Sequence, residues 1–232
     1  MRVGFIVVTY NTSDAILTHI KSQVDKLGFK DLRFYVCDNT FDNKGFATGV
    51  NSSIKKGVRE GVDIFIVANL DISLEHVSSE ELLAGSPYFD VWGLAMWQDN
   101  RTYYGGQIDR WRMSGGLIGE KPRRRFHAVD YVTGSLMLFK KQVIDAIGLW
   151  DEGYFMYYED VDFCYRAKKA GFKVGIDRDT TYIHFETSKT NKKKAYFLAK
   201  SRWRFFLKFS NTKQKIRELI RLPKTLYELV AK

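Results

Sequence analysis

"RVGFIVVTYNTSD", residues 2–14, decides the architecture of this chain. Its first half is an unbroken apolar run rich in β-branched residues, as expected for a strand covered on both faces. Asn11, Thr12 and Ser13 then offer helix-capping side chains. Ala15, Ile16, Ile20 and Val24 recur on one helical face that stops near Gly28. The same unit repeats downstream. "LRFYVCDN" (residues 32–39) reads as a second strand and "KGFATGVNSSIKKGV" (44–58) as a glycine-punctuated turn feeding a helix. "VDIFIVANLD" (62–71) reads as a third buried strand. Alternation at this spacing predicts a mostly parallel α/β sheet. Ligands of such sheets bind beyond the carboxyl ends of the strands. Those ends are Thr9-Tyr10-Asn11, Asp38-Asn39 and Asn69-Leu70-Asp71, all polar.

Further along, "VWGLAMW" (91–97) is a strand, and "VDYVTGSLMLFKKQVIDAIG" (129–148) reads as strand then helix. Between them "YYGGQIDRWRMSGGLIGEKPRRR" (103–125) is expected to be an irregular lid or flap. "FMYYEDVDFCYRAKKAGFKV" (155–174) sets Glu159, Asp160 and Asp162 behind Phe155, Tyr157 and Tyr158. Val161, Cys164 and Tyr165 follow at helical spacing and Gly171 supplies the stop. Acids favour the first turn of a helix, so a cap explains them. A general base held in a dry pocket explains them too. "VGIDRDTTYIHFE" (174–186) reads as a short strand pair that closes the body.

The 232 residues suit one globular domain with an appendage. Cys37 and Cys164 stand in hydrophobic contexts and suit reduced thiols in a cytoplasmic protein. The opening residues show no signal-peptide layout, and no run of ~18 apolar residues predicts a membrane span. The net charge of +10 is unevenly placed. Residues 187–232 hold 14 Lys and Arg against Glu218 and Glu228, whereas the rest holds 23 basic and 25 acidic groups. A near-neutral body argues against a nucleic-acid-binding protein. The place of a dinucleotide-binding Gly-x-Gly-x-x-Gly, straight after the first strand, holds "TYNTSD", and a P-loop is also missing. Nor is there the glycine-rich basic loop of a pyrophosphorylase.

"VVTYN", "CDN", "NKGFATGVNSSIKKG", "ANLD", "YEDVDFCYRAKKAGFKV" and "YIHFETS" occur in this order over roughly residues 2–190. Together they resemble the family 2 glycosyltransferases of the GT-A fold, and most closely the bacterial rhamnosyltransferase-like branch. The resemblance implies an α/β GT-A nucleotide-diphospho-sugar transferase fold, Rossmann-like with a mostly parallel mixed sheet. It implies a nucleoside diphosphate sugar donor, dTDP- or UDP-linked, with Mg2+ or Mn2+ as cofactor. By the same resemblance Thr9, Tyr10 and Asn11 lie against the nucleoside, and Asp38 accepts from N3–H of uracil or thymine. Outside the family Asn11 would be a cap and Asp38 a turn former. Asn43, Gly45, Gly49 and Asn51 match a segment whose glycines allow close approach and whose helix N-terminus faces the diphosphate. Asp71 matches the metal-binding acid and His184 a histidine that completes the metal shell. Asn69, a neutral ligand or ribose contact, stands where the family usually has an acid, and Leu70 replaces a common proline. Asp160 matches the base, with Glu159 orienting base or acceptor, and Asp162 reads as a cap or partner of Arg166. The implied reaction is transfer of a sugar, with rhamnose from dTDP-rhamnose leading and a UDP-hexose as alternative, in inverting fashion. The competing classes are a non-catalytic sugar-nucleotide- or glycan-binding relative and a membrane- or nucleic-acid-binding module led by the tail.

Residues 191–232 alternate Lys and Arg with aromatics and predict basic amphipathic helices, kinked or split at Pro223. Such helices lie on anionic membrane surfaces. Packing on the body or on a second copy of the chain fits the same pattern. A catalytic domain over 1–190, a membrane-facing tail, and a lipid-linked saccharide acceptor at the inner face of the cell membrane form the combined expectation.

Overall fold

The computed structural model describes residues 1–186 and 192–230, with side chains through residue 221. The first half runs β1 (Val3–Thr9), α1 (Asp14–Lys26), β2 (Leu32–Asp38), α2 (Phe46–Arg59), β3 (Ile64–Ala68), β4 (Ile72–Ser73) and α3 (Ser79–Leu83). There follow β5 (Val91–Gln98), β6 (Arg101–Tyr103), β7 (Gly106–Asp109), β8 (Ser114–Leu117), β9 (Phe126–Ala128) and β10 (Leu136–Lys140). The chain continues with α4 (Lys141–Ile147), α5 (Glu159–Lys169), β11 (Val174–His184), α6 (Lys192–Phe209) and α7 (Thr212–Val230).

The main sheet has the order β2-β1-β3-β10-β5-β11-β4, with β6 and β9 at its side. β1 pairs parallel with β2 and β3, and β5 pairs parallel with β11. β10 runs antiparallel between β3 and β5, so those five strands share one direction and β10 and β4 oppose it. The mostly parallel α/β expectation therefore holds. Alternation along each strand divides the core between the two faces. Phe5, Val7, Ile66 and Leu138 face a core with Ile20 and Val24 of α1 and Leu82 of α3. Ile6, Phe65, Val67 and Phe139 face the other, with Val50 and Ile54 of α2 and Phe163 of α5. The continuous apolar runs are apolar because both faces are covered.

Several expectations change. In α1 Ile16 is exposed, and the buried residues are Ile20, Gln23 and Val24, with Leu17 beside them. The docked face is turned because Gln23 is drawn inward, its Oε1 accepting from the Leu74 backbone N–H at 2.6 Å. Within the expected irregular flap, β7 and β8 form a hairpin, and Asp109 accepts from the N–H groups of Trp111 and Arg112 in its turn. Residues 174–184 form one strand with a register shift between Asp177 and Thr181, not a strand pair.

The tail divides by helix. α6 buries Ser201, Phe205 and Phe206, and the two phenylalanines belong to the core of the body. Its cations are partly matched there: Lys208 reaches Asp151 and Asp162, each at 2.6 Å, and Arg204 reaches Asp151 at 2.9 Å. Part of the aromatic face read as membrane-facing is thus packed on the protein over α6, while Tyr196, Leu198 and Leu207 stay exposed. α7 runs unbroken through Pro223. Its tethers are Glu218, buried against Arg202, and Gln214, which donates to the Arg110 carbonyl. Ile216, Leu219 and Ile220 point outward. The expected boundary at residues 190/191 lies outside the described residues.

Candidate active site

The acids open α5, directly after Tyr157 and Tyr158. Tyr157 and Tyr158 both adopt left-handed backbone conformations, with φ of 66° and 67°. Such residues cost ~1–3 kcal/mol each and persist only where the surroundings hold them. Here three elements do so. Phe46 N–H of α2 donates to the Phe155 carbonyl at 3.0 Å. Ser201 of α6 donates to the Met156 carbonyl at 2.8 Å, and Phe197 stacks on Phe155. The hairpin contributes Gly115 N–H, which donates to the Tyr158 hydroxyl at 3.2 Å.

This brace places Asp160 on the wall of a cleft of about 550 Å³. Its Oδ2 accepts from Gly134 N–H and its Oδ1 from Val161 N–H, both at 2.8 Å. Glu159 is buried and its Oε2 has no hydrogen-bond partner among the described residues. Burial raises the pKa of both, most strongly for Glu159, which the neighbouring Asp160 charge pushes further. The two backbone donors oppose the shift at Asp160. Of the two, Glu159 is therefore the harder to ionise, while the backbone donors favour the charge at Asp160. Asp162 faces away, with Oδ1 2.6 Å from Arg166 Nε, as expected of an ion-pair partner.

The loop after β3 and the end of β11 supply further lining groups, Asn69, Asp71 and His184. Asp71 Oδ1 lies 3.3 Å from His184 Nε2, and Asn69 Nδ2 lies 3.4 Å from the same nitrogen. Glu186 accepts from Gln98 Nε2 at 2.8 Å, which turns the Gln98 carbonyl onto His184 Nδ1, also at 2.8 Å. A carbonyl only accepts, so Gln98 takes the Nδ1 proton and Nε2 is the ring atom that faces Asp71. An imidazole nitrogen set beside a carboxylate is a pair that a cation can bridge, with Gln98 as the outer partner that orients the ring. Burial opposes the charge on Asp71, but His184 and Asn69 outweigh it and hold its pKa below the usual value. Among the described residues no group of three His, Cys, Asp or Glu is arranged around one point. Asp71 and His184 have the chemistry to be part of a shell that would hold Mg2+ or Mn2+.

Between the two halves runs Thr133-Gly134-Ser135. Gly134 N–H holds Asp160, the Ser135 carbonyl accepts from Asn69 N–H at 3.0 Å, and the Ser135 hydroxyl meets Tyr182 at 2.7 Å. Sequence reading passed over this bridge and Gln98. The small polar "VTGS" before β10 was the only signal available.

The nucleotide-side residues divide. Thr9 pairs in register with Asp38, and its hydroxyl donates to Asp38 Oδ1 at 3.1 Å. Hydrogen bonds from Thr40 and then Thr9 hold Asp38 ionised, with its pKa lowered. Asn11 is left-handed with φ 48°, its N–H donating to Thr40, and Tyr10 is exposed. This set, exposed apart from the buried Thr9, lies at the ends of β1 and β2, beside the β3 loop that carries Asn69 and Asp71. It lies outside the cleft lining. Three residues expected at the donor are also engaged within the fold. Asn51 is 1% exposed, donates to the Trp150 carbonyl and Glu152, and accepts from Trp150 N–H. Gly45, with φ 99°, approaches backbone rather than phosphate: a Cβ there would sit 2.5 Å from the Phe155 carbonyl oxygen. Asn43 accepts from Gly45 N–H at 3.0 Å and shapes the turn.

A mostly parallel sheet with polar carboxyl ends, an acid pair and an Asp–His pair in one cleft has the GT-A nucleotide-diphospho-sugar transferase fold. The family follows from the chain itself. Residues 78–205, more than half of it, match the family described as "Glycosyltransferase like family 2", and the chain belongs to that family. Its fold is similar to that of GalNAc-T7, whose crystal structure holds UDP, GalNAc and Mn2+. The TM-score is 0.58 at 12% identity, covering 87% of this chain and 47% of that one. Among curated proteins it is 35% identical over 71 residues to the low-salt glycan biosynthesis hexosyltransferase of Haloferax volcanii. That match covers 30% of this chain and 23% of the relative. It is 34% identical over 71 residues to the N-acetylglucosaminyl-diphospho-decaprenol L-rhamnosyltransferase of Mycobacterium tuberculosis, covering 31% and 23%. The matched stretches thus span under a quarter of these relatives' length.

Proposed function

We propose that this chain is the catalytic domain of an inverting glycosyltransferase using a nucleoside diphosphate sugar. The observation that carries the reading is the acid pair: Asp160, aimed by two backbone N–H groups, shares a cleft with Asp71 and His184. Asp160 takes the proton of an acceptor hydroxyl as its oxygen bonds to the anomeric carbon and the bond to the diphosphate breaks. Neutral Glu159 keeps a second charge from forming beside the base. Asp71 and His184 would hold Mg2+ or Mn2+, whose chemistry is to offset the charge of the leaving diphosphate. Thr9, Tyr10, Asn11 and Asp38 would seat the nucleoside at the neighbouring strand ends, Asp38 accepting from N3–H.

For the donor we favour dTDP-rhamnose over a UDP-hexose, supported by the rhamnosyltransferase among the relatives. The diphospho-decaprenol in that relative's name supports a lipid-linked saccharide acceptor. No helix among the described residues is long and apolar enough to cross a membrane. The inner membrane face would instead be met by α7, whose outward Ile216, Leu219 and Ile220 stand among exposed Lys213, Lys215 and Arg217. Thermal unfolding with dTDP, UDP or GDP, each with and without Mg2+ or Mn2+, tests the donor site. Ligand at ~100 Kd stabilises by ~2.7 kcal/mol. A metal-dependent rise with one nucleotide is expected, and no rise with any of them would overturn the reading.

A further inference from the structure

The cleft is acidic. Asp71, Glu159, Asp160 and Glu186 all line it, and among its described lining residues the one Lys or Arg is Lys194, on the first turn of α6. A diphosphate entering this space adds negative charge, and gains more as the glycosyl bond breaks. A divalent ion held by Asp71 and His184 would meet that charge from one side.

Lys194 is 18% exposed and ion-paired with Glu186. The other oxygen of Glu186 accepts from Gln98, which in turn orients His184. Lys194, Glu186, Gln98 and His184 thus form one hydrogen-bonded chain that ends at Asp71. An ammonium on a four-carbon stem can exchange one anionic partner for another at little cost in geometry. Glu186 keeps Gln98 as a partner when Lys194 leaves it, so the exchange strands no carboxylate.

We infer that Lys194 is a second cationic contact to the diphosphate, turning from Glu186 to its terminal phosphate when donor binds and holding that phosphate as the bond to the sugar breaks. The inference rests on the donor-cleft reading above. It makes Lys194 a catalytic residue of a helix otherwise used to brace the acid loop.

The test compares the full-length chain with Lys194→Met and Lys194→Arg. Binding of UDP, dTDP, UMP and dTMP is measured by titration calorimetry in Mn2+, and turnover with the matching sugar nucleotide. Loss of one charge-assisted contact predicts about tenfold weaker diphosphate binding in Lys194→Met, since 1.4 kcal/mol is a factor of ten. Monophosphate binding should change less than about twofold, because the phosphate in question is absent. Turnover should fall by about 10²-fold, with partial recovery in Lys194→Arg. Equal weakening of mono- and diphosphate would mark a structural role and overturn the inference. So would diphosphate binding unchanged from a wild type that binds. A wild type that binds neither UDP nor dTDP would overturn the donor-cleft reading itself, and this inference with it.

Discussion

Replacing Asp160 by Asn separates the base from the fold. The carboxylate accepts two backbone N–H groups, from Gly134 and Val161, each at 2.8 Å. An amide of the same shape offers one oxygen and one NH2, so one of those donors meets another donor. Leaving a buried donor unsatisfied costs ~1–3 kcal/mol. Against this, the variant no longer places a charge where burial has raised the pKa of Asp160. The two terms oppose, so the net stability change should be within ~1–2 kcal/mol, or a thermal midpoint moved by a few degrees at ~2–4 °C per kcal/mol. The chemical loss is not offset. Without a group to take the proton, turnover should fall by ~10²–10⁴, about 2.7–5.4 kcal/mol of barrier. Release of nucleoside diphosphate at saturating donor measures this. The thermal shift given by nucleotide and metal serves as control, because the proposed role of Asp160 is toward the acceptor and not the nucleotide. In the wild type kcat/KM should rise with pH through a midpoint above the ordinary Asp value of ~3.9. An Asn variant that binds nucleotide normally and turns over within about threefold of the wild type would refute Asp160 as the base, given the ~10² minimum expected.

Glu159→Gln probes the other member of the pair. The folded Glu159 holds a proton that the unfolded chain has already lost, since its pKa lies well above the usual value through burial and the Asp160 charge. Its contribution to stability is intact below ~4.3, the unfolded value, and declines as pH rises through the folded one. Gln is neutral throughout, so the variant's melting advantage should grow with pH above ~4.5, and a pH-independent offset would contradict the assignment. On α7, changing Ile216, Leu219 and Ile220 together to Ser should abolish sedimentation with anionic vesicles and leave the thermal midpoint nearly unchanged, because all three are exposed. Retained vesicle binding would refute the membrane role. Conversion of a dimer to a monomer in the same variant would assign this face to a second copy of the chain.

Much of the architecture is written in local pattern. β1, β2 and β3 are legible because strands of a sheet covered on both faces must be apolar along their length. Their polar ends locate the ligand edge, and Asn69, Asp71, Glu159, Asp160 and His184 all reach the cleft. The roles of Asn51 and Gly45 were not legible: a motif marks that a residue matters, and not whether its partner is a ligand or the Trp150 and Phe155 backbone. Thr133-Gly134-Ser135 and Gln98 carry no periodic signal, and they matter only because β10 and β5 bring them between the two clusters. The tail shows the division most clearly. Sequence alone determined two basic amphipathic helices. Tertiary structure decided that α6 covers an aromatic surface already presented by Tyr158 and Tyr165, while the stripe on α7 remains outside. The physical reason is that amphipathicity measures how much apolar surface a helix must hide. What hides it depends on which neighbour has matching surface left uncovered.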